Sequence, residues 1–443
     1  MADIAPFRAL RYAKDRVSLG TVVTQPYDKI TPSMQDGYYS ASPYNLVRII
    51  LGKSQPEDSE GSNKYTRAAD YLKTWYQDGV LAHDDQACLY RYSQNFCVPA
   101  SALGQTGNKP VQLERIGFIA AGRIHDYAEG VVHRHEQTLA KPKSDRLNLL
   151  RATRAHFGQI FMLYSDPERS VETILDPSGT PPQASVTDEY GVLHRLWRIS
   201  DTVTIRSVQQ KMADKKLIIA DGHHRYETAL NYRNECRSAS GTSDPNAPYE
   251  RVMMTFVNMD SPGLVILPTH RVVFGLKSFE VPSFLHAAES YFDVITLEPS
   301  TSPQDALARL RREGESGVSL LVVAGRSMII LNARPKASDS LLQQYTPAQR
   351  QLDVVQVHKV ILEKVLGLSE ESIRNQENLN YIREAEHAVA RVRNGEAQIA
   401  FLMNPCRIDQ VRDIAFAGGV LPQKSTDFYP KLLSGLTIYS LDS

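Results

Sequence analysis

Residues 216–230 read KLIIADGHHRYETAL, and the pattern changes twice within them. Leu217, Ile218, Ile219 and Ala220 form an apolar run suited to a buried strand, Asp221-Gly222 is a turn dipeptide, and the residues from His223 to Asn234 suit a helix. The turn also carries chemistry. With Asp221 as the expected N-cap, the free N–H groups of the first helical turn and the positive end of the dipole point to the strand's C-terminal edge, where an anion binds. Gly222 permits close backbone approach. Arg225 offers a planar fork for phosphate oxygens, and His223 and His224 add donors. Asp221 and Glu227 bring carboxylates that orient a hydroxyl, hold Mg²⁺ or act as general base, while Ala229 and Leu230 anchor the helix. A cap alone explains one or two polar residues beside a buried strand, not four, so a phosphorylated small molecule is the expected ligand.

Upstream of this motif, 88–96 and 115–124 predict paired strands, and Asn63 precedes a helix with Tyr65, Ala68, Ala69, Leu72 and Tyr76 on one face. Ser144 is the expected cap of a helix reaching about Ala155, and 159–164 a short buried strand. The segment HRHEQTLAKPKSDR at 133–146, which follows the 115–124 strand and leads into this helix, reads as too polar for core, and 165–190 as loop. A helix is expected over 206–215. Downstream, 252–259 and 264–275 read as strands completing the central sheet. Beyond a boundary near 276 the expected elements are helices 281–292, 302–314, 353–366, 380–394 and 407–417 and strands 317–324, 327–333 and 397–403, followed by the turn-rich stretch 421–436. The fold class is thus α/β (α+β), with one region over 1–276 and a C-terminal α/β region over 277–443 that returns 421–436 to the site.

Composition narrows the function. In 443 residues, 50 Lys and Arg balance 50 Asp and Glu, which removes the broad basic footprint of duplex-binding proteins. No apolar run approaches the length of a membrane span, and the start MADIAPFRAL lacks the apolar core of a signal peptide, so a cytoplasmic protein is expected. Cys88, Cys97, Cys236 and Cys406 form no C-x-x-C pair and read as buried free thiols.

Three further clusters are candidates for the same pocket. In VVHRHEQT, His133, His135 and Glu136 have the residue types of a metal site without the H-E-x-x-H spacing of zinc. Glu136 reads better as a base or substrate contact, with His135 beside it and Lys141, Lys143 and Arg146 supplying anion donors. Thr269, His270 and Arg271 follow an apolar strand. Lys424, Ser425 and Thr426 have the short polar character of a phosphate or carboxylate contact, and Tyr429, Pro430 and Lys431 share that stretch.

The run IADGHHRYETA resembles the D-G-H-H-R signature of the ParB/sulfiredoxin-like superfamily, which includes partition-protein nucleotide-binding domains, sulfiredoxin and free-serine kinases. Over most of its length the chain is also similar to a bacterial and archaeal family, domain of unknown function one thousand and fifteen. That likeness rests on QPYDKI (25–30), SPYNLVRI (42–49), HEQT (135–138), KSDRLNLL (143–150), ADGHHRYETAL, LPTHRVV (267–273) and PQKSTDFYPKLLSGL (422–436). The superfamily resemblance implies a mixed-sheet core whose turn at Gly222, His223, His224 and Arg225 binds nucleotide or phosphate. Its kinase members imply Mg²⁺-dependent phosphoryl transfer from ATP or ADP to the hydroxyl of free L-serine, with Glu136, Asp221 or Glu227 orienting or deprotonating that hydroxyl, His223 assisting, and Asp221 as the metal ligand. Two alternatives stand beside it: a nucleotide-sensing or nucleic-acid-associated binding module, and a metal-dependent hydrolase using His133, His135, His223 and His224.

Overall fold

The computed structural model describes residues 2–103, 109–136, 140–241 and 244–442, except for the side chains of Ser101, Ala140, Lys141 and Pro142. Gln137 and Thr138 of the HEQT motif therefore lie outside the described residues, as does the Lys141 side chain.

Two sheets organise the chain. The larger is mixed and nine-stranded, in the order Val132–His133, Leu217–Asp221, Ile160–Tyr164, Arg251–Asn258, Val111–Arg123, Leu89–Val98, Leu193–Ile199 and Ala184–Thr187, with Ile4–Ala5 added alongside Val111–Arg123. Two pairings are parallel, Leu217–Asp221 with Val132–His133 and Arg251–Asn258 with Ile160–Tyr164, and the rest are antiparallel. The second sheet is antiparallel and six-stranded: Phe292–Thr296, Ser327–Ala333, Ser319–Ala324, Ile399–Met403, His270–Val273 and Leu379–Ile382. The architecture is mixed α/β. Residues of both sheets, among them Tyr90, Phe161, Ile218, Leu320, Val322 and Phe401, belong to one continuous buried apolar cluster. Among the described residues no helix is long and apolar enough to cross a membrane.

Several elements follow the sequence pattern closely. Leu217–Asp221 is buried over its first four residues and the helix His223–Ser240 follows at once. Leu89–Val98 and Val111–Arg123 pair in register from Tyr90 with Ile119 to Val98 with Val111. Asn63 caps Lys64–Gln77 with its side chain on the Tyr65 and Thr66 amides.

Others do not. The 264–275 stretch does not complete the large sheet: Val265–Leu267 pairs with Asp427–Tyr429, and His270–Val273 joins the second sheet. Strand pattern records burial on both faces, and the partner is chosen by tertiary packing. The helix expected from Ser144 begins at Ala140 and runs to Thr153. The supposed loop 165–190 contains the helix Ser170–Ile174 and the strand Ala184–Thr187. The 281–292 helix stops at Ala288, Phe292 opening a strand, and the 380–394 helix is shortened to Ala385–Arg393 behind the strand Leu379–Ile382. Residues Gln356–Val365 are wound as a π-helix. Of the four thiols only Cys88 and Cys406 are buried; Cys97 is exposed and Cys236 is intermediate.

Candidate active site

The segment 216–230 opens onto a polar cavity of about 740 Å³ between the two sheets. Gly222, and not Asp221, occupies the N-cap position, at φ 92°, and no side chain caps the helix. Its first-turn amides and the positive end of its dipole are therefore left to the cavity, which Gly222, His223, His224 and Arg225 line. A Cβ at residue 222 would stand 3.0 Å from the Arg225 guanidinium carbon, so both backbone angle and space call for glycine.

Asp221 is drawn away from the capping role by cations. Its carboxylate accepts from Arg225 Nη2 at 2.9 Å and lies 3.7 Å from Lys431 Nζ. Lys431 in turn pairs with Asp427 at 3.0 Å, and Asp427 accepts from Arg383 Nε at 2.6 Å and has Lys29 at 4.0 Å. Four cations thus share two carboxylates at this wall, with Asp28 the further acid lining it. Burial alone would raise both aspartates; Lys431, Arg225 and Lys29 outweigh it and hold Asp221 far below its ordinary range, and Lys431, Lys29 and Arg383 hold Asp427 down to about 2. Burial would lower Lys431, but Asp221 and Asp427 raise it instead. Arg225 also donates to the Gln159 carbonyl. The result is a rigid, positively charged floor.

The histidines are structural in their bonding. His135 is fully buried within the segment read as too polar for core: Nδ1 donates to the Ile219 carbonyl at 2.7 Å, which leaves Nε2 to accept from Thr426 Oγ1 at 2.8 Å. His223 Nε2 faces the His135 amide at 3.4 Å, and the two rings meet edge to face at 4.8 Å. Burial pushes His135 down to about 4 and His223 well below its usual value, so both are neutral. His133 has its ring nitrogens against the Ala415 and Gly130 carbonyls at 3.2 and 3.1 Å. Among the described residues no group of three or more His, Cys, Asp or Glu has the arrangement of a metal site.

Glu136 lines the cavity with one oxygen 3.3 Å from the Lys424 amide, and burial raises its pKa. Thr269, Lys424 and Thr426 line it as well. Glu227, His135, Arg146, His270, Arg271 and Ser425 do not. Glu227 is held by Lys143 and, at 3.8 Å, by Arg134. Arg146 stacks on Tyr27 at 4.1 Å and donates to the Ile50 carbonyl at 2.6 Å, beside a small apolar pocket of about 60 Å³. His270 accepts from the Met403 amide at 3.2 Å, and Ser425 donates to the Pro422 carbonyl. Arg271 is 0% exposed and donates to His358 Nε2 at 3.0 Å and to the Gln423 and Lys424 carbonyls at 3.3 and 3.1 Å. It fastens from behind the loop whose amide meets Glu136.

A family model described as Protein of unknown function (DUF1015) matches residues 4–355. The chain belongs to this family. The DUF1015 match ends before 422–436, a stretch that nevertheless brings Lys424, Thr426, Asp427 and Lys431 to the cavity. No curated protein matches the DUF1015 chain in sequence. Among solved structures, a free serine kinase in complex with AMP matches with a TM-score of 0.33 and 14% identity, over 67% of this chain and 83% of that one. A conserved hypothetical protein from Pyrococcus furiosus gives 0.35 and 13%, over 70% and 93%. SbnI with C-terminal truncation, from Staphylococcus aureus, gives 0.36 and 8%, over 72% and 87%. Sequence reasoning on this DUF1015 chain missed Lys29, Asp427, Tyr381, Arg383, His387 and Arg391, all of which line the cavity. Lys29 lies inside the quoted QPYDKI and Asp427 beside PQKST, so both had a signal; the 380–391 residues sit in an ordinary amphipathic pattern and had none.

Proposed function

We propose that this cavity binds a nucleotide by its phosphates at the start of the 223–240 helix, and that the chain transfers a phosphoryl group from ATP or ADP to a small hydroxyl compound, free L-serine first among the acceptors. The observation that carries the reading is an uncapped helix start, reinforced by Arg225, Lys29 and Lys431, opening on a cavity that also contains a carboxylate of raised pKa. The first-turn amides and His224 hold phosphate oxygens. Asp221, pinned by Arg225 and Lys431, keeps those cations in place and lines the cavity where a Mg²⁺ ion would be held. Such an ion needs one or two carboxylates besides phosphate oxygens, a set these residues fit, and when bound with the nucleotide it neutralises charge on the transferring group.

Glu136 is the base in this reading. The acceptor oxygen bonds to the terminal phosphorus as the bond from that phosphorus to the bridging oxygen breaks; the hydroxyl proton passes to Glu136 and the shortened nucleotide leaves. A half-buried carboxylate with a raised pKa is a stronger base than one in water and is suited to that proton. Glu227, tied to Lys143 off the cavity, is the weaker candidate. The same reading takes the nine-stranded region as a ParB/sulfiredoxin-like core of a cytoplasmic enzyme, to which the C-terminal region adds the opposite wall. Purified protein incubated with ATP or ADP, Mg²⁺ and L-serine is expected to yield O-phosphoserine by mass spectrometry. Absence of product with every common hydroxy amino acid would overturn the assignment.

A further inference from the structure

Across the cavity from the helix start stands a wall made by the strand Leu379–Ile382 and the helix Ala385–Arg393, beyond the residues matched by the family model. Asn380, Tyr381, His387 and Arg391 line it. Tyr381 is the anomaly. Its ring lies 4.8 Å from the guanidinium of the buried Arg271, which fixes its place, yet its hydroxyl is shielded from water and has no hydrogen-bond partner among the described residues. A buried hydroxyl left unpaired costs stability, and such groups are rare unless something arrives to pair with them. Next to Tyr381, Arg391 donates to Asn380 Oδ1 at 2.6 Å through one terminal nitrogen and to the exposed Glu396 carboxylate at 3.2 Å through Nε, which orients the guanidinium along the wall, and His387 is exposed there with no bonded partner among the described residues.

We propose that Tyr381, with Asn380, His387 and Arg391, forms a subsite for the carboxylate of the acceptor, which makes the acceptor a hydroxylated carboxylic acid. The inference rests on the phosphoryl-transfer reading for the acceptor's role, but the subsite itself is a statement about binding. Tyr381 donates its O–H, and Arg391 supplies the positive charge that a carboxylate pairs with and that a neutral alcohol or an ammonium does not. Glu384, also at this wall, is a carboxylate available to the ammonium of an amino acid. The acceptor hydroxyl is thereby held on the Glu136 side, with the nucleotide on the opposite floor.

The test is calorimetric titration of the full chain, with Mg²⁺ and a non-hydrolysable ATP analogue present, using L-serine, glycerate and ethanolamine. L-serine is expected to bind, glycerate to bind more weakly, and ethanolamine, which lacks the carboxylate, not to bind. Tyr381→Phe keeps the ring over Arg271 and removes only the hydroxyl. It should weaken L-serine by about tenfold, the loss of one hydrogen bond to a charged group, leave the ATP analogue within about twofold, and melt no lower than the parent. Arg391→Gln should weaken L-serine further and leave the melting temperature of the fold largely unchanged. Ethanolamine binding as tightly as L-serine, unchanged L-serine affinity in Tyr381→Phe, equal weakening of nucleotide and L-serine, or no binding of either acid would each overturn the subsite. Carboxylate-dependent binding without any phosphoserine formation would instead support the subsite and remove the transfer reaction.

Discussion

Glu136 and Asp221 are carboxylates of one cavity whose surroundings push them in opposite directions. Asp221 is surrounded by Arg225, Lys431 and Lys29 and stays ionised; Glu136 meets a backbone amide and burial, and holds its proton more readily. In the proposed reaction they divide the work of charge placement and proton transfer. For Glu136 the folded state binds the proton more tightly than the unfolded chain does. Its contribution to stability is therefore full below the unfolded value, near 4.5, and is lost as pH rises through the raised folded value. Glu136→Gln is accordingly expected to abolish phosphoryl transfer by on the order of a hundredfold or more, to leave nucleotide affinity in place, and to melt higher than the parent at pH 7 but not at pH 4. Rate profiles and thermal melts across that range check it; a parent rate that does not fall as the solution is acidified would remove Glu136 as the base.

At the scale of elements, the strand, turn and helix of 216–230 were legible because each has a local cause: an apolar run, a turn dipeptide and a helix-compatible sequence. The cap was not, because Asp221 is turned by Lys431, which lies 210 positions further on, and no local pattern contains that. The same holds for His135, whose burial depends on the Ile219 carbonyl and Thr426, and for the strand Leu193–Ile199, whose arginines and histidine masked its alternation. Gly222→Ala tests the turn. The left-handed angle costs about 1–2 kcal/mol for a residue with a Cβ, and the added methyl displaces the Arg225 guanidinium. The variant is expected to unfold at lower urea concentration by that amount and to lose nucleotide binding by about tenfold or more as Arg225 and the first-turn amides shift; unchanged binding of an ATP analogue would refute the phosphate role of this turn.

For the whole molecule, the general class and most elements were readable in the sequence, as were Gly222–Arg225, Glu136, Thr269 and the stretch around 424–431, whereas the wall at 376–391 was not. The wall at 376–391 comes from a segment whose own pattern reports packing, and only the fold brings it and the floor at 427–431 to the cavity lined by Gly222–Arg225. Because one apolar cluster runs through both sheets and 427–429 pairs with 265–267, the two regions are expected to melt together. Scanning calorimetry should show a single transition, and a nucleotide at about a hundred times its dissociation constant should raise the unfolding free energy of that one transition by about 2.7 kcal/mol. Two separate transitions, with only one shifted by ligand, would mean that the cavity belongs to one region alone.

The stretch that supplies Lys431 also crosses the opening residues of the chain, with Ser434 bridged to Thr24 and Ile438 to Leu10. During translation the turn at 221–225 leaves the ribosome some two hundred residues before Lys431 does. Until 431–438 emerge, Asp221 lacks Lys431 and the first strands lack their bridges, so a nascent chain carries an unfinished, charge-imbalanced cleft. In the reading proposed above, nucleotide capture waits on that stretch, and a chain truncated before residue 431 is expected to hold nucleotide poorly although it carries the signature motif.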